Sequence, residues 1–243
     1  MTTTLNPPSS TGSTAPRQRP VWWRRPWIAP LMFVCAAFLA FSVPPYVTGN
    51  PENSRLPIPE GNPVYFWLLT AHVMFGTIAM TTGCFQIWPA FRARYRRGHR
   101  ITGRIYVFAG VLPAGLLGFY IGWYTDAGPS VRVANLVGSA LWLIFTYAAF
   151  RAARQKRFDA HRRWMSRSFA LAMSIALSRV FNIAATIILT PRVDTTFGGD
   201  ERMMHFTAAS IGVWISPLLL LVLTDYLLER RKPTPARANR GAN

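Results

Sequence analysis

Residues 71–106 read AHVMFGTIAMTTGCFQIWPAFRARYRRGHRITGRIY. An apolar run carrying His72, Gly76, Gly83 and Gln86 stops at Pro89, and a dense cationic segment follows with Arg92, Arg94, Arg96, Arg97, His99, Arg100 and Arg104. A second apolar run begins after Gly103. About 20 apolar residues in helical form are long enough to cross the hydrocarbon core of a bilayer. No water is available there to satisfy backbone N–H and C=O groups, so such a run must bond within itself as a helix. The stretch therefore predicts two membrane-spanning helices joined by a short cationic loop. One histidine lies in the first span and another at the foot of the second.

The rest of the chain repeats this grammar. The expected architecture is an all-α, polytopic, six-transmembrane-helix bundle with spans at about 27–47, 64–89, 103–124, 131–151, 167–189 and 204–228, making one membrane domain over 27–229. A basic tail, 1–26, rich in Thr, Ser and Pro, and a second basic tail, 230–243, are expected to be disordered. Trp22, Trp23 and Trp27 with Arg24 and Arg25 suit an interfacial anchor. Ala40-Phe41-Ser42 imitates a signal-peptidase site weakly, but the long preceding tail and the length of the run favour an uncleaved anchor. Ala114, Gly118 and Gly122 recur every fourth residue in the third span, and Ala134 and Gly138 give the fourth a small face, so these two should pack closely. Pro113 and Pro217 are expected to bend their helices.

The formal charge of +18 would suggest a nucleic-acid partner in a soluble chain. Its distribution excludes that reading. The cations cluster in the tails and in segments 92–104 and 151–167, whereas Glu52, Glu60, Asp126, Asp194, Asp200 and Glu201 occupy the alternate gaps. That asymmetry is the positive-inside pattern, which places both termini and both Arg-rich segments in the cytoplasm. The expected partners are the lipid bilayer and anionic lipid headgroups at the cytoplasmic face, with no nucleic acid.

Three groups of residues carry a resemblance. The first is His72-x-x-x-Gly76 followed by Gln86-x-x-Pro89-x-x-Arg92. The second is His99-Arg100-x-x-Gly103-Arg104-x-Tyr106. The third is His161-Arg162-Arg163-Trp164-Met165-x-Arg167-Ser168 followed by Arg179. Over roughly 64–179 the chain resembles bacterial predicted membrane proteins grouped as domain of unknown function 2306. The resemblance implies a multi-span membrane domain, here in a bacterial cytoplasmic membrane, and implies no activity. His205 lies beyond the resembling stretch.

The four histidines fall in two pairs by topology: His72 and His205 near the outer ends of inward-running spans, His99 and His161 at the inner ends of outward-running ones. A bis-histidine haem needs two imidazoles from different helices at one depth, so each pair is a candidate set of axial ligands for haem b in a redox protein. The layout resembles that of two-haem b-type membrane cytochromes, although no cytochrome motif is present. Arg179, Arg104 and Arg167 are candidate contacts for propionates or another anion. Arg179 sits mid-span, where a cation costs roughly 2.5–3.5 kcal/mol even on lenient insertion scales. Ser174, Ser178, Asn182 and Thr186 form a polar stripe beside it, and Gln86 is polar within its own span. Two other readings compete: a small transporter or lipid- and anion-binding protein centred on Arg179, and a structural partner of another membrane protein. A quinone or membrane-protein partner is left open. Cys35 and Cys84 lie in apolar runs as small fillers. No catalytic triad, intramembrane carboxylate pair, His-Glu-x-x-His motif or phosphate loop is present.

Overall fold

The structure, a computed structural model, describes residues 27–230, whose regular elements are all helical with no strand among them. The expected tails 1–26 and 230–243 lie outside these residues, apart from Arg230. In chain order the helices are α1 (Ile28–Ser42), α2 (Pro44–Val47), α3 (Pro63–Ile87), α4 (Pro89–Arg94) and α5 (Arg96–Arg104). A π-helical segment, Ile105–Val111, leads into α6 (Leu112–Tyr124). Then come α7 (Pro129–Arg154), α8 (Phe158–Leu189), α9 (Val193–Thr196) and α10 (Glu201–Glu229).

Among the described residues, five helical stretches are long and apolar enough to cross a membrane: Pro63–Ile87, Arg96–Tyr124, Pro129–Arg154, Phe158–Thr196 and Glu201–Glu229. The chain is thus a multi-pass membrane protein. The expected first span is shorter than the sequence suggests. At 15 residues α1 measures about 22 Å, less than the roughly 30 Å hydrocarbon core. It stops before the Pro44-Pro45 pair, which cannot supply backbone N–H donors to extend it.

The two cationic segments are also not loops. α4 and α5 carry the first, and α5 runs on into the span above it. The second is divided between the end of α7 and the start of α8, with Gln155–Arg157 left as the turn and Lys156 at φ 58°. Arginine is among the better helix formers, so helix continues through these stretches until Tyr95 or Lys156 takes a different backbone conformation. Proline opens α3, α4 and α7 at the first turn, where its missing N–H costs nothing. Asp200 caps α10 by accepting from the Met203 N–H at 2.9 Å.

Packing follows the small residues. A Cβ at Gly115 would lie 2.7 Å from Leu143, and one at Gly122 would lie 3.0 Å from Asn135, so α6 and α7 approach closely, as their small faces suggest. Ahead of Pro113 the helix widens: the Leu112 N–H reaches back to the Val107 carbonyl, five residues earlier. This π segment brings Gly110 against the α3 backbone, where a Cβ would lie 2.9 Å from Ala79. α10 packs most extensively on α8 and also on α7. Its Gly212 lets the Ser178 carbonyl approach to 2.6 Å of where a Cβ would stand. α1 rests more lightly on α3 and α8.

Candidate functional site

The arrangement of α1 against α3, α5, α8 and α10 leaves a cavity of about 2480 Å³. Arginines gather at one end of it. Arg96, Arg100 and Arg104 enter from α5, with Arg92 from α4, Arg154 from α7 and Arg162 from α8. Asp159 is the one acid on the lining. Beyond this rim the walls are apolar: Leu31 and Phe38 of α1, Phe169 and Met173 of α8, and Leu220 of α10. Arg179 lines the far end. From His161 to Arg179 is 18 residues of unbroken helix, or about 27 Å, close to the thickness of a hydrocarbon core.

The sequence places His99 and His161 at one level, and the structure puts both on this cavity, close enough for their charges to influence each other. His161 Nδ1 donates to the Ala149 carbonyl at 2.9 Å, which fixes the ring and leaves Nε2 outside that bond. His99 Nδ1 is buried without a hydrogen-bond partner. The other pair is not assembled. His72 lies outside the cavity lining; its Nδ1 donates to the Ala114 carbonyl at 2.9 Å, and its ring packs beside Gly118. His205 is exposed on α10, which packs on α8 and α7 rather than chiefly on α3. Running in the same direction through a membrane gives two helices a common face without making them neighbours, and α3 and α10 are not close neighbours here.

The expected anion contacts divide in the same way. Arg104 and Arg179 line the cavity, whereas Arg167 does not: its Nε donates to Asp225 Oδ1 at 2.9 Å and its guanidinium lies 4.8 Å from the Trp164 ring centre. Arg179 is half-buried and makes no hydrogen bond or ion pair with a described residue; its electrostatic neighbours are Tyr46 and Arg55. Asn182 is not on the cavity wall and backs onto Gly212 of α10. The polar stripe is largely self-satisfied, since Ser174 and Ser178 donate to the Leu171 and Ile175 carbonyls of their own helix.

Gln86 has a positioning role that its place in the sequence does not reveal. Its Nε2 donates to the His99 carbonyl at 3.1 Å and to Thr102 Oγ1 at 2.6 Å. A side chain at Gly103 would collide with it, a Cβ there being 3.1 Å from Oε1. One buried amide thus holds α5, with His99 and its arginines, against the end of α3. Above it, Ser168 joins the Tyr106 and Thr146 hydroxyls, each at 2.7 Å, tying the π segment and α7 to α8 behind the cavity.

A model for predicted membrane proteins, DUF2306, matches residues 69–227. The chain belongs to this family. The DUF2306 match extends beyond the stretch 64–179 picked out by the motifs and takes in α10, so His205 lies inside it. No curated protein and no solved structure matches the chain. The matched region takes in all or part of every helix that lines the cavity except α1, whose apolar wall lies outside the DUF2306 match.

Proposed function

We propose that this protein binds an amphiphile with an anionic head group, taking the head at the arginine rim and the apolar portion along α8. The observation that carries the reading is the composition of the cavity: seven arginines and one aspartate around apolar walls. Its volume of about 2480 Å³ exceeds the roughly 300–1,000 Å³ of a pocket for a drug-sized ligand and suits a lipid-sized one. Its length along α8 matches an acyl or isoprenoid chain lying parallel to the bilayer normal. Arg179 at the far end offers a second cation to a ligand with a polar group at that depth. The six rim arginines are exposed to solvent and also border the cavity, so a head group can reach them while its apolar portion lies against the inner walls.

In this reading both termini and the arginine-rich helix ends face the cytoplasm of a bacterial cell, following the charge asymmetry. α1 with its short continuation α2 then crosses as the sixth element and forms the movable wall of the cavity. Detergent-purified protein should bind a fluorescent long-chain fatty acid. Replacing Arg96, Arg100 or Arg104 by Gln should weaken binding about fivefold each, the equivalent of about 1 kcal/mol per cation near an anionic headgroup. Unchanged affinity in the triple variant would contradict the proposal.

A second reading rests on His99 and His161 sharing the cavity. A hydrogen bond from Nδ1–H to a backbone carbonyl, as at His161, orients an imidazole whose Nε2 is a metal ligand. We propose haem b between this inner pair as the alternative occupant, its propionates at the arginine rim. A bound haem would supply one-electron chemistry; the histidines would hold it and the arginines would neutralise its carboxylates. A Soret band in protein from haem-replete cells, lost in His161→Ala, would favour it over the lipid-binding reading.

A further inference from the structure

Three sulfur atoms from three helices meet at the cavity wall. The Cys84 thiol of α3 donates to Cys35 Sγ of α1 at 3.2 Å, and the Cys35 thiol donates to Met173 Sδ of α8 at 3.3 Å. All three residues are buried, and Met80 belongs to the same packed cluster, with Met32 against it. Thiols serving only as small apolar fillers have no need to converge on each other and on a thioether across 138 residues of sequence. Met173 also lines the cavity, so the cluster has a route to its surroundings.

We propose that Cys35, Cys84 and Met173 form a binding site for a soft monovalent metal ion, Cu(I). Two thiolates and a thioether are the donors that select Cu(I). Among the described residues no three His, Cys, Asp or Glu side chains converge, so a harder ion finds no comparable donor set. Metal–sulfur bonds of about 2.3 Å in a trigonal plane separate the sulfurs by about 4 Å. The present contacts must therefore open by under an ångström. The unbranched Met173 side chain and the lightly packed α1 can supply that movement. Binding replaces the two S–H protons, which leave with solvent, by one Cu(I) with no change of oxidation state. The resulting centre carries one negative charge. Arg179, six residues along α8 from Met173, is a cation on the same cavity.

Protein purified anaerobically under reductant and loaded from the Cu(I)–bicinchoninate complex tests the site. The wild type should retain about one copper per chain and show ultraviolet thiolate-to-Cu(I) charge-transfer absorption. Cys35→Ser and Cys84→Ser should each retain less than about a tenth as much. Met173→Leu conserves volume and should fold as the wild type does, with Cu(I) affinity lowered about tenfold. In the wild type, Cu(I) should also protect both thiols from maleimide, a readout that does not depend on any variant folding. Copper-free wild type, undiminished copper in Cys35→Ser, or maleimide labelling unaffected by Cu(I) would each overturn the proposal. So would recovery of Cys35 and Cys84 only as a disulfide from the reduced preparation.

Discussion

Arg167 of α8 and Asp225 of α10 meet at 2.9 Å, and one helical turn away Arg163 meets Glu229, so two ion pairs of matching spacing set the register of antiparallel helices. The pairs are partly exposed, with Asp225 at 47% and Glu229 at 54% side-chain exposure. Solvent screening limits each to about 1 kcal/mol or less. A double-mutant cycle on Arg167 and Asp225, read by thermal unfolding in detergent, should therefore give a coupling energy below about 1 kcal/mol that shrinks further in high salt. A coupling of several kcal/mol would show that this end of the bundle is drier than the exposures indicate.

Close helix approach should dominate stability more than these charges do. Ala at Gly110 or Gly212 would place a methyl group 2.9 Å from Ala79 or 2.6 Å from the Ser178 carbonyl, both of them backbone neighbours with little freedom to yield. Each substitution should cost about 1–3 kcal/mol by overpacking. Gly76→Ala meets nothing within 4 Å and should be neutral, or stabilising by up to about 1 kcal/mol through helix propensity. Melting temperatures in detergent compare the three directly, and equal effects would contradict this packing.

Gln86→Ala removes both bonds that anchor α5. Its loss should cost about 1–3 kcal/mol and act locally: amides of α5 should exchange faster with deuterium while those of α10 keep their protection. Uniform loosening across the bundle would indicate that Gln86 serves the whole core rather than the arginine-rich end of the cavity.

Much of this was legible because hydrocarbon imposes one solution on a long apolar run. The five spanning stretches follow from length and hydropathy, and the α6–α7 contact follows from Gly118 and Gly122. The first span is interrupted because Pro44 and Pro45 lack the N–H donors that would carry the α1 ladder forward, and Tyr46 resumes helix only as a short separate turn by donating to the Val43 carbonyl. The arginine segments resembled loops because charge obscured a good helix-forming composition. Lateral neighbours were the least legible. Sequence places His72 and His205 toward the same face, with His72 the deeper of the two, yet nothing in either helix shows that α10 would lodge against α8. The partners of Arg167, 58 residues away, and of Cys35, 49 and 138 residues away, likewise depend on which helices touch.

The orientation of the bundle rests on charge asymmetry and can be read independently of any ligand. Single cysteines at Asn53 and Thr196, introduced after replacing Cys35 and Cys84, should react with an impermeant maleimide from outside the cell. Reaction only in inverted vesicles would reverse the topology.

The most direct test of amphiphile binding is a map of where a photoreactive anionic lipid attaches in the membrane. The protein, reconstituted in vesicles containing an anionic phospholipid with a photoreactive acyl chain, is illuminated, digested and sequenced by mass spectrometry. The expected adducts lie on cavity-wall residues such as Phe38, Met173 and Leu177, and excess unlabelled anionic lipid removes them where zwitterionic lipid does not. Adducts confined to outward-facing residues such as Trp67 and Trp123, with no headgroup preference, would show that the cavity holds no such ligand.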